Sequence, residues 1–226
     1  MRARPLRVQQ SLNGEAPVSD SSRDAILTAL AAEHSAMQGV IVASVNEQQA
    51  RASMFLITVS GALVALGIVA QTEKFLLFTA AVIPTLYLIG LLTVMRLIDV
   101  GMESMQSEIT IAKIRRYYRS LGAPADKLFE EPLGRWPEGR LDSGSITGEV
   151  LGLLTTAASM IACVAGFIGG AGIGLLLYHW LGTRIAVAIM AGAAFVILQV
   201  AAACLYQNWR INLMVKLADD RAFVRD

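Results

Sequence analysis

Charge is scarce in this chain, and four long stretches contain none of it. Only 16% of the 226 residues are Asp, Glu, Lys or Arg, whereas 55% are hydrophobic. The uncharged stretches are residues 52–72, 75–95, 150–178 and 185–209. About 20 helical residues, each rising ~1.5 Å, cross the ~30 Å hydrocarbon core of a bilayer. We therefore predict an all-α integral membrane protein with four transmembrane helices.

Residues that usually carry chemistry are also scarce. The chain has two His and two Cys, and neither these nor its carboxylates show the spacing of a metal site. No glycine-rich phosphate loop ending in Lys-Ser or Lys-Thr occurs. No ionisable Asp, Glu, Lys, Arg or His lies inside the four stretches, which argues against a proton-coupled pump. We expect no catalytic, cofactor-binding or metal-binding residues, no cofactor and no enzymatic activity.

The basic residues predict an orientation. All 19 Lys and Arg except Lys74 and Arg184 lie before the first stretch, between the second and third, or after the fourth. Lys74 and Arg184 fall in the two short turns. Basic residues are enriched on the cytoplasmic side of membrane proteins. We therefore expect two transmembrane hairpins whose N-terminus, central segment and C-terminus are cytoplasmic.

Local signals divide the chain further. Ser21 and Asp24 are typical of a helix start, whereas Gly122 and Pro124 are typical of a helix end. An apolar stripe of Ile26, Leu30, Met37 and Ile41 follows the first signal at helical spacing. The predicted units are a disordered tail (1–20), a cytoplasmic helix (21–51), hairpin 1 (52–95), a cytoplasmic helix (96–122), a cytoplasmic loop (123–146), hairpin 2 (147–209) and a C-terminal cytoplasmic helix (210–226).

The third stretch carries a row of small residues. Ala162, Gly166, Gly170 and Gly174 are spaced by four and therefore share one helical stripe. Such a stripe lets another helix approach closely in a membrane. The partner is either the fourth stretch of the same chain or another copy, and spacing alone leaves both open.

Two other residues inside the stretches have structural interpretations. Pro84 removes a backbone hydrogen bond and predicts a kink in the second helix, or alternatively a gating hinge. Gln199 needs a hydrogen-bond partner in hydrocarbon, so we expect an interhelical polar contact, with pore lining as the alternative.

Polar residues at and beyond the boundary form two further candidate sites. Arg51 and Arg96 are equally far from the first turn, so they are expected at one depth, and Asp99 lies one helical turn beyond Arg96. Pairing of Asp99 with both arginines is one hypothesis, and snorkelling of each arginine to lipid phosphate is the other. The remaining polar cluster is interpreted as a contact in a helix bundle or as a pH- or ligand-sensing site; it comprises Glu33, His34 and Gln38.

Several segments together carry a family resemblance. Residues 33–38 (EHSAMQ), 51–56 (RASMFL), 63–67 (LVALG) with Gln71, and 114–118 (IRRYY) resemble a group of uncharacterised four-span membrane proteins of actinobacteria, over roughly residues 24–120. The resemblance implies a bacterial inner-membrane location and transfers no activity. The general plan is also similar to small membrane effectors of bacterial defence and signalling systems, by architecture alone.

These observations favour a non-enzymatic inner-membrane protein that self-associates. It would form a pore or perturb the bilayer under the control of its cytoplasmic helices. A non-conducting scaffold or signalling partner is the alternative, and a lipid-acting enzyme is the least favoured. The expected partners are the lipid bilayer and further copies of the chain. A cytosolic protein or small ligand is left open, and nucleic acid is not expected because the net charge is only +1.

Overall fold

Four long helices make up the part of the chain that the structure describes. The computed structural model describes residues 20–122, 124–125 and 155–223. The helices are α1 (Asp20–Val69), α2 (Phe75–Arg119), α3 (Ala157–Trp180) and α4 (Ile185–Phe223), and these described residues contain no strand. Each helix includes a segment long and apolar enough to cross a membrane. The all-α class and the four candidate spans predicted from the sequence are thereby confirmed.

Some predicted units lie outside the described residues. The tail falls there except for its last residue, as does the loop at 123–146 except for residues 124–125. The predicted start of the third span at Val150 is also outside. Within the described part, α3 begins only at Ala157, where the Thr156 side chain accepts a hydrogen bond from the Ser159 backbone N–H. This N-cap sets the helix start, because it satisfies a backbone donor that has no partner within the helix.

The first two helices are much longer than a membrane span. α1 has 50 residues and α2 has 45, and neither breaks where its apolar segment meets its polar one. We call residues 20–50 of α1 and 97–119 of α2 the stalk. The stalk end of α2 is closed by Ser120, whose N–H bonds to carbonyls of the last turn. Gly122 follows with φ of +141°, a backbone conformation that favours glycine.

Neighbouring helices in the chain pack side by side and run antiparallel. α1 packs along α2, α2 along α3, and α3 along α4. The α2–α3 direction follows from two contacts, Gly90 with Ala165 and Tyr87 with Gly169. The apolar core lies among α1, α2 and α3, and its most buried members include Phe55, Leu97, Ile161, Ala162 and Ala165.

The stalk has a regular seam. On α1 the inward residues are Leu27, Leu30, His34, Met37 and Ile41, each partly buried. Their spacing alternates between three and four residues, as in coiled coils. The sequence pattern predicted Ile26 on the apolar stripe of this helix, but Ile26 is 43% exposed. The inward row repeats every 3.5 residues and passes through Leu27 instead. On α2 the buried stalk residues include Val100, Ser107, Ile111 and Ile114.

Candidate functional site

The small residues of α3 face α4 of the same chain. A Cβ added at Gly170 would lie 2.6 Å from the backbone oxygen of Gly192, and one at Gly174 would lie 3.3 Å from that of Ala188. Gly166 faces the Gln199 side chain, and Ala162 is completely buried. The absence of side chains lets the two backbones approach closely. Of the two partners left open by the sequence, this structure shows the one within the chain.

A second side of α3 lies as close to α2 as the first side lies to α4. A Cβ at Gly169 would come within 2.8 Å of the Tyr87 ring, and one at Gly172 within 2.7 Å of the Ile83 side chain. On α2, a Cβ at Gly90 would meet the Ala165 side chain at 2.7 Å. Helix α3 is therefore packed tightly between α2 and α4.

A hydrogen bond joins α2 to α4 inside the apolar region. The Tyr87 hydroxyl donates to Gln199 Oε1 at 2.7 Å, and the Tyr87 ring packs against Phe195 with centroids 5.8 Å apart. Gln199 thus makes an interhelical contact. Tyr87 was not singled out from the sequence, although a tyrosine in mid-span needs a hydrogen-bond partner.

We expect Tyr87→Phe to lower the free energy of unfolding by about 0.6 kcal/mol, the average for intramembrane side-chain hydrogen bonds. The measurement is SDS-induced unfolding of the purified protein, in a double-mutant cycle with Gln199→Leu. Tyr178→Phe is the matched control, since Tyr178 is 47% exposed at the far end of α3. Purely additive effects of the two changes would contradict the assignment.

Pro84 lies within an uninterrupted α2. It has no N–H, so it cannot make the helical bond to the carbonyl of Ala80. The neighbouring Thr85 hydroxyl donates to the carbonyl of Ala81 at 2.8 Å. Pro84 lines a cavity between α2 and α3 together with Thr79. The kink in α2 predicted for Pro84, and the gating hinge as its alternative, stay predictions.

Ion pairs cluster where the stalk meets the spans. Glu47 Oε1 accepts from Arg51 Nε at 2.8 Å and from Arg96 Nε at 3.0 Å. Arg96 also reaches Glu103 at 3.5 Å. Arg51 and Arg96 therefore meet on one carboxylate, at the common depth expected from the sequence.

The hypothesis that Asp99 forms ion pairs with both arginines does not match the contacts of this structure, although the Asp99 carboxylate contributes, after that of Glu47, to the raised pKa of Arg96. Asp99 Oδ1 instead accepts from Arg210 Nη2 of α4 at 2.8 Å. Glu47 is the carboxylate that pairs with both arginines, because it lies one turn from Arg51 on the same helix and on the side facing α2. The Asp99–Arg210 pair ties the extension of α4 beyond its apolar segment to α2.

The two arginines lower the pKa of Glu47. Hydrogen bonds from Arg51 and then Arg96 are the largest causes, and Glu47 in turn raises the pKa of Arg96. The Glu47 side chain is 33% exposed and that of Arg96 39%. Solvent therefore screens the pairing, and it orients helices more than it stabilises them.

This pairing predicts a pH response. The folded-state pKa of Glu47 lies below its ordinary value of 4.5, so its stabilising contribution is complete above pH 4.5 and is lost as pH falls through the lowered pKa. Glu47→Gln should lower the melting temperature at pH 6. Between pH 5 and 3 the melting temperature of this variant should fall less steeply than that of the wild type. Thermal unfolding in detergent measures this, with Glu73→Gln in the 70–74 turn as control. Identical pH profiles for Glu47→Gln and the wild type would contradict it.

The polar residues Glu33, His34 and Gln38 of the stalk do not form one cluster. Gln38 Nε2 lies 3.1 Å from His34 Nε2, and His34 points into the stalk seam with its Nδ1 buried and unpartnered. Glu33 is exposed, since consecutive helical residues point about 100° apart. The structure joins His34 to Gln38 and leaves Glu33 on another side of α1.

A buried polar group at the start of α3 was missed from the sequence. The Thr156 hydroxyl lies 3.0 Å from Ser159 Oγ, and both hydroxyls lie 3.4 Å from Gln207 Oε1 of α4. Gln207 follows Gln199 by eight residues, which places both near one face of α4. The eight-residue spacing of these two glutamines was the signal in the sequence from which this polar group could have been predicted.

Several of the polar contacts described above join one helix to another, namely those of Tyr87 with Gln199, Arg96 with Glu47, Arg210 with Asp99 and Gln207 with Thr156 and Ser159. No group of three or more His, Cys, Asp or Glu in the described part of the chain is arranged to hold a metal ion. Comparison of the chain with protein-family models, with curated proteins and with solved structures finds no match.

Proposed function

We propose that this chain is a non-enzymatic protein of a bacterial inner membrane. It crosses the bilayer four times as two hairpins, with both termini and the stalk in the cytoplasm. It self-associates, and its stalk transmits the binding of a cytosolic partner to the arrangement of the spans. The observation that carries this proposal is the unbroken continuation of α1 and α2 from apolar span into stalk.

Helix continuity supports mechanical coupling. An α-helix resists bending, so a displacement of the stalk is passed to the span of the same helix. Glu47, Arg51 and Arg96 join α1 to α2 at the junction, and Asp99 joins α2 to Arg210 of α4. Three of the four helices are thereby connected at one level.

The charges support the proposed orientation. Arg51, Arg96 and Arg210 lie at the stalk ends of their spans, whereas Lys74 and Arg184 lie near the opposite ends. Most of the other basic residues of the chain precede Arg51, follow Arg210 or lie between the two hairpins. This asymmetry is typical of a cytoplasmic stalk.

One exposed face of α1 supports self-association. Its residues follow each other at alternating steps of four and three, the spacing of a coiled-coil seam. All are exposed, and a Cβ added at Gly39 would meet nothing within 4 Å. Val42, beside this face, is 60% exposed, although stalk residues would face water. The face comprises Ala25, Ala29, Ala32, Ala36, Gly39 and Ala43.

Reporter fusions test the topology. A phosphatase that is active only outside the cytoplasm should be active when fused after residue 73 or 182. A fluorescent protein fused after residue 226 should fluoresce in the cytoplasm. An active phosphatase at the C-terminus would overturn the orientation, and release of the chain by carbonate washing would overturn membrane insertion.

Cysteine cross-linking tests self-association in native membranes. With Cys163 and Cys204 replaced by Ala, Ala36→Cys should give cross-linked dimers with a short bis-maleimide. Ala31→Cys, an equally small change pointing about 140° away on α1, should give few. Equal yields at both positions would contradict a specific stalk contact.

Ion flux distinguishes the two functional outcomes of assembly. The α1 and α4 span windows are each only 11% buried within one chain, so most of their surface is left for lipid or for other copies. Purified multimers in liposomes that release a trapped ion would support a pore. Silent liposomes that retain multimers would favour the non-conducting scaffold.

A further inference from the structure

A cavity of about 470 Å³ lies between α2 and α3, toward the ends away from the stalk. This volume is within the range of small-molecule sites, about 300–1,000 Å³. Its walls are almost entirely apolar, and it includes Ile83 and Pro84 of α2. Its exposed residues include Leu76 at 40%, Leu176 at 55% and Trp180 at 82%. The cavity is therefore accessible from the surface that the bilayer would cover.

Two glycines of α3 border the cavity, and side chains of α2 pack closely against them. Gly169 and Gly172 both line the cavity. The α2 wall has Ala80, a small residue, beside Pro84. Space of this shape suits a slender apolar group that enters from the lipid.

One polar side chain in the cavity has no partner. Thr79 is only 4% exposed, and its Oγ1 is buried without a hydrogen bond. Thr58, Thr85 and Thr93 in the spans each donate to the carbonyl four residues earlier, all at 2.8 Å. Thr79 does not, although it lies in the same kind of helix. A buried hydroxyl of this kind requires an acceptor.

The depth of Thr79 identifies the acceptor. Thr79 lies four residues after Phe75, where α2 begins, which is about 6 Å along the helix. In an inserted protein this is the level just beneath the headgroups, where a bilayer offers the ester carbonyls of its glycerolipids. An ester carbonyl accepts a hydrogen bond, and the acyl chain attached to it matches an apolar cavity.

We propose that this cavity binds one acyl chain of a diacyl glycerophospholipid from the outer leaflet. The Thr79 hydroxyl donates to the ester carbonyl of that chain, and the chain lies against Ile83 and Pro84. This site rests on the membrane insertion that forms part of the proposed function. It goes beyond that function by naming a lipid class and the residue that selects it.

Native mass spectrometry of carbonate-resistant, purified protein tests the site. The probes are dipalmitoyl phosphatidylglycerol and its dialkyl ether analogue, which lacks the ester carbonyls. Wild-type protein should retain the ester lipid about fivefold better than the ether lipid, since one hydrogen bond separates them. Thr79→Val should remove this preference, and Thr79→Ser should retain it.

Two further variants control for folding and for the cavity. Thr85→Val should behave as the wild type, because the Thr85 hydroxyl already bonds within its own helix. Ala80→Phe should fill the cavity and reduce retention of both lipids. If inserted wild-type protein binds ester and ether lipids equally, or Thr79→Val keeps the preference, the lipid site is overturned and the membrane assignment stands. Release of the wild type by carbonate would overturn both.

Discussion

Gly170→Ala is expected to lower the free energy of unfolding by about 1–3 kcal/mol, the usual cost of overpacking a tight interior. The new Cβ would lie 2.6 Å from the backbone oxygen of Gly192 and 3.0 Å from a methyl of Val196. A backbone oxygen has no rotamer through which to move away. The α3 and α4 backbones must therefore separate, and contacts of Gly166 and Gly174 along the same stripe weaken with them. SDS-induced or thermal unfolding of the purified protein measures the loss.

Gly61→Ala is the matched control for this change. Gly61 lies in the apolar segment of α1, and a Cβ there meets nothing within 4 Å. Replacing an open helical glycine with alanine usually stabilises by about 0.5–1 kcal/mol. The two identical substitutions should therefore shift stability in opposite directions. Equal shifts would show that the α3–α4 contact is not as close as the structure places it.

Phe55→Ala is expected to lower the free energy of unfolding by about 2–3 kcal/mol, somewhat less than in the core of a soluble protein. In the proposed membrane setting an apolar side chain gains little on moving from lipid into protein, so the cost comes mainly from the cavity that the missing ring leaves. Phe55 is 2% exposed and belongs to the core cluster. Its ring lies against the site of Gly90, within 2.9 Å of where a Cβ would be. Removing the ring leaves a void where α1 meets α2 and α3, and unfolding by SDS again measures the effect.

Ile57→Ala is the neighbouring control for the Phe55 change. Ile57 is 72% exposed in the same apolar segment, so its side chain contacts few protein atoms. Its removal should change stability by less than about 0.5 kcal/mol. If Ile57→Ala costs as much as Phe55→Ala, that surface of α1 is covered by protein rather than by lipid. Such a result would favour self-association through the spans.

The helices could be predicted from the sequence because their signal is local. The absence of charge over some 20 residues and the basic residues at the ends are properties of each segment alone. The start of α3 at Ala157 was harder to predict, because no charge separates residues 150–156 from the helix. Its N-cap, Thr156, is made by a side-chain contact that hydropathy does not report.

The ion-pair site was predictable in depth but not in its partners. Counting outward from the first turn places Arg51 and Arg96 at one level. The choice between Glu47 and Asp99 depends on how each helix is rotated about its axis, which is a tertiary property. The four-residue spacing of Glu47 and Arg51 was the signal in the sequence that favoured Glu47.

The cavity at Thr79 depends entirely on packing between helices. The sequence marked Pro84 as an irregular feature of the second span. It could not show that Thr85 bonds within its own helix whereas Thr79 does not. That difference arises from which residues face α3, and hence from glycines about 90 positions away in the chain.

The length of the stalk would amplify small tilts of the apolar helix segments to which it is joined. The 31 residues from position 20 to 50 extend about 46 Å from the junction. A rotation of only ~10° about the junction would displace the far tip by ~8 Å, comparable to the width of a helix. In the proposed membrane-inserted arrangement the stalk would act as a lever arm, and labels near residue 20 would report tilts that labels inside the bilayer would barely register.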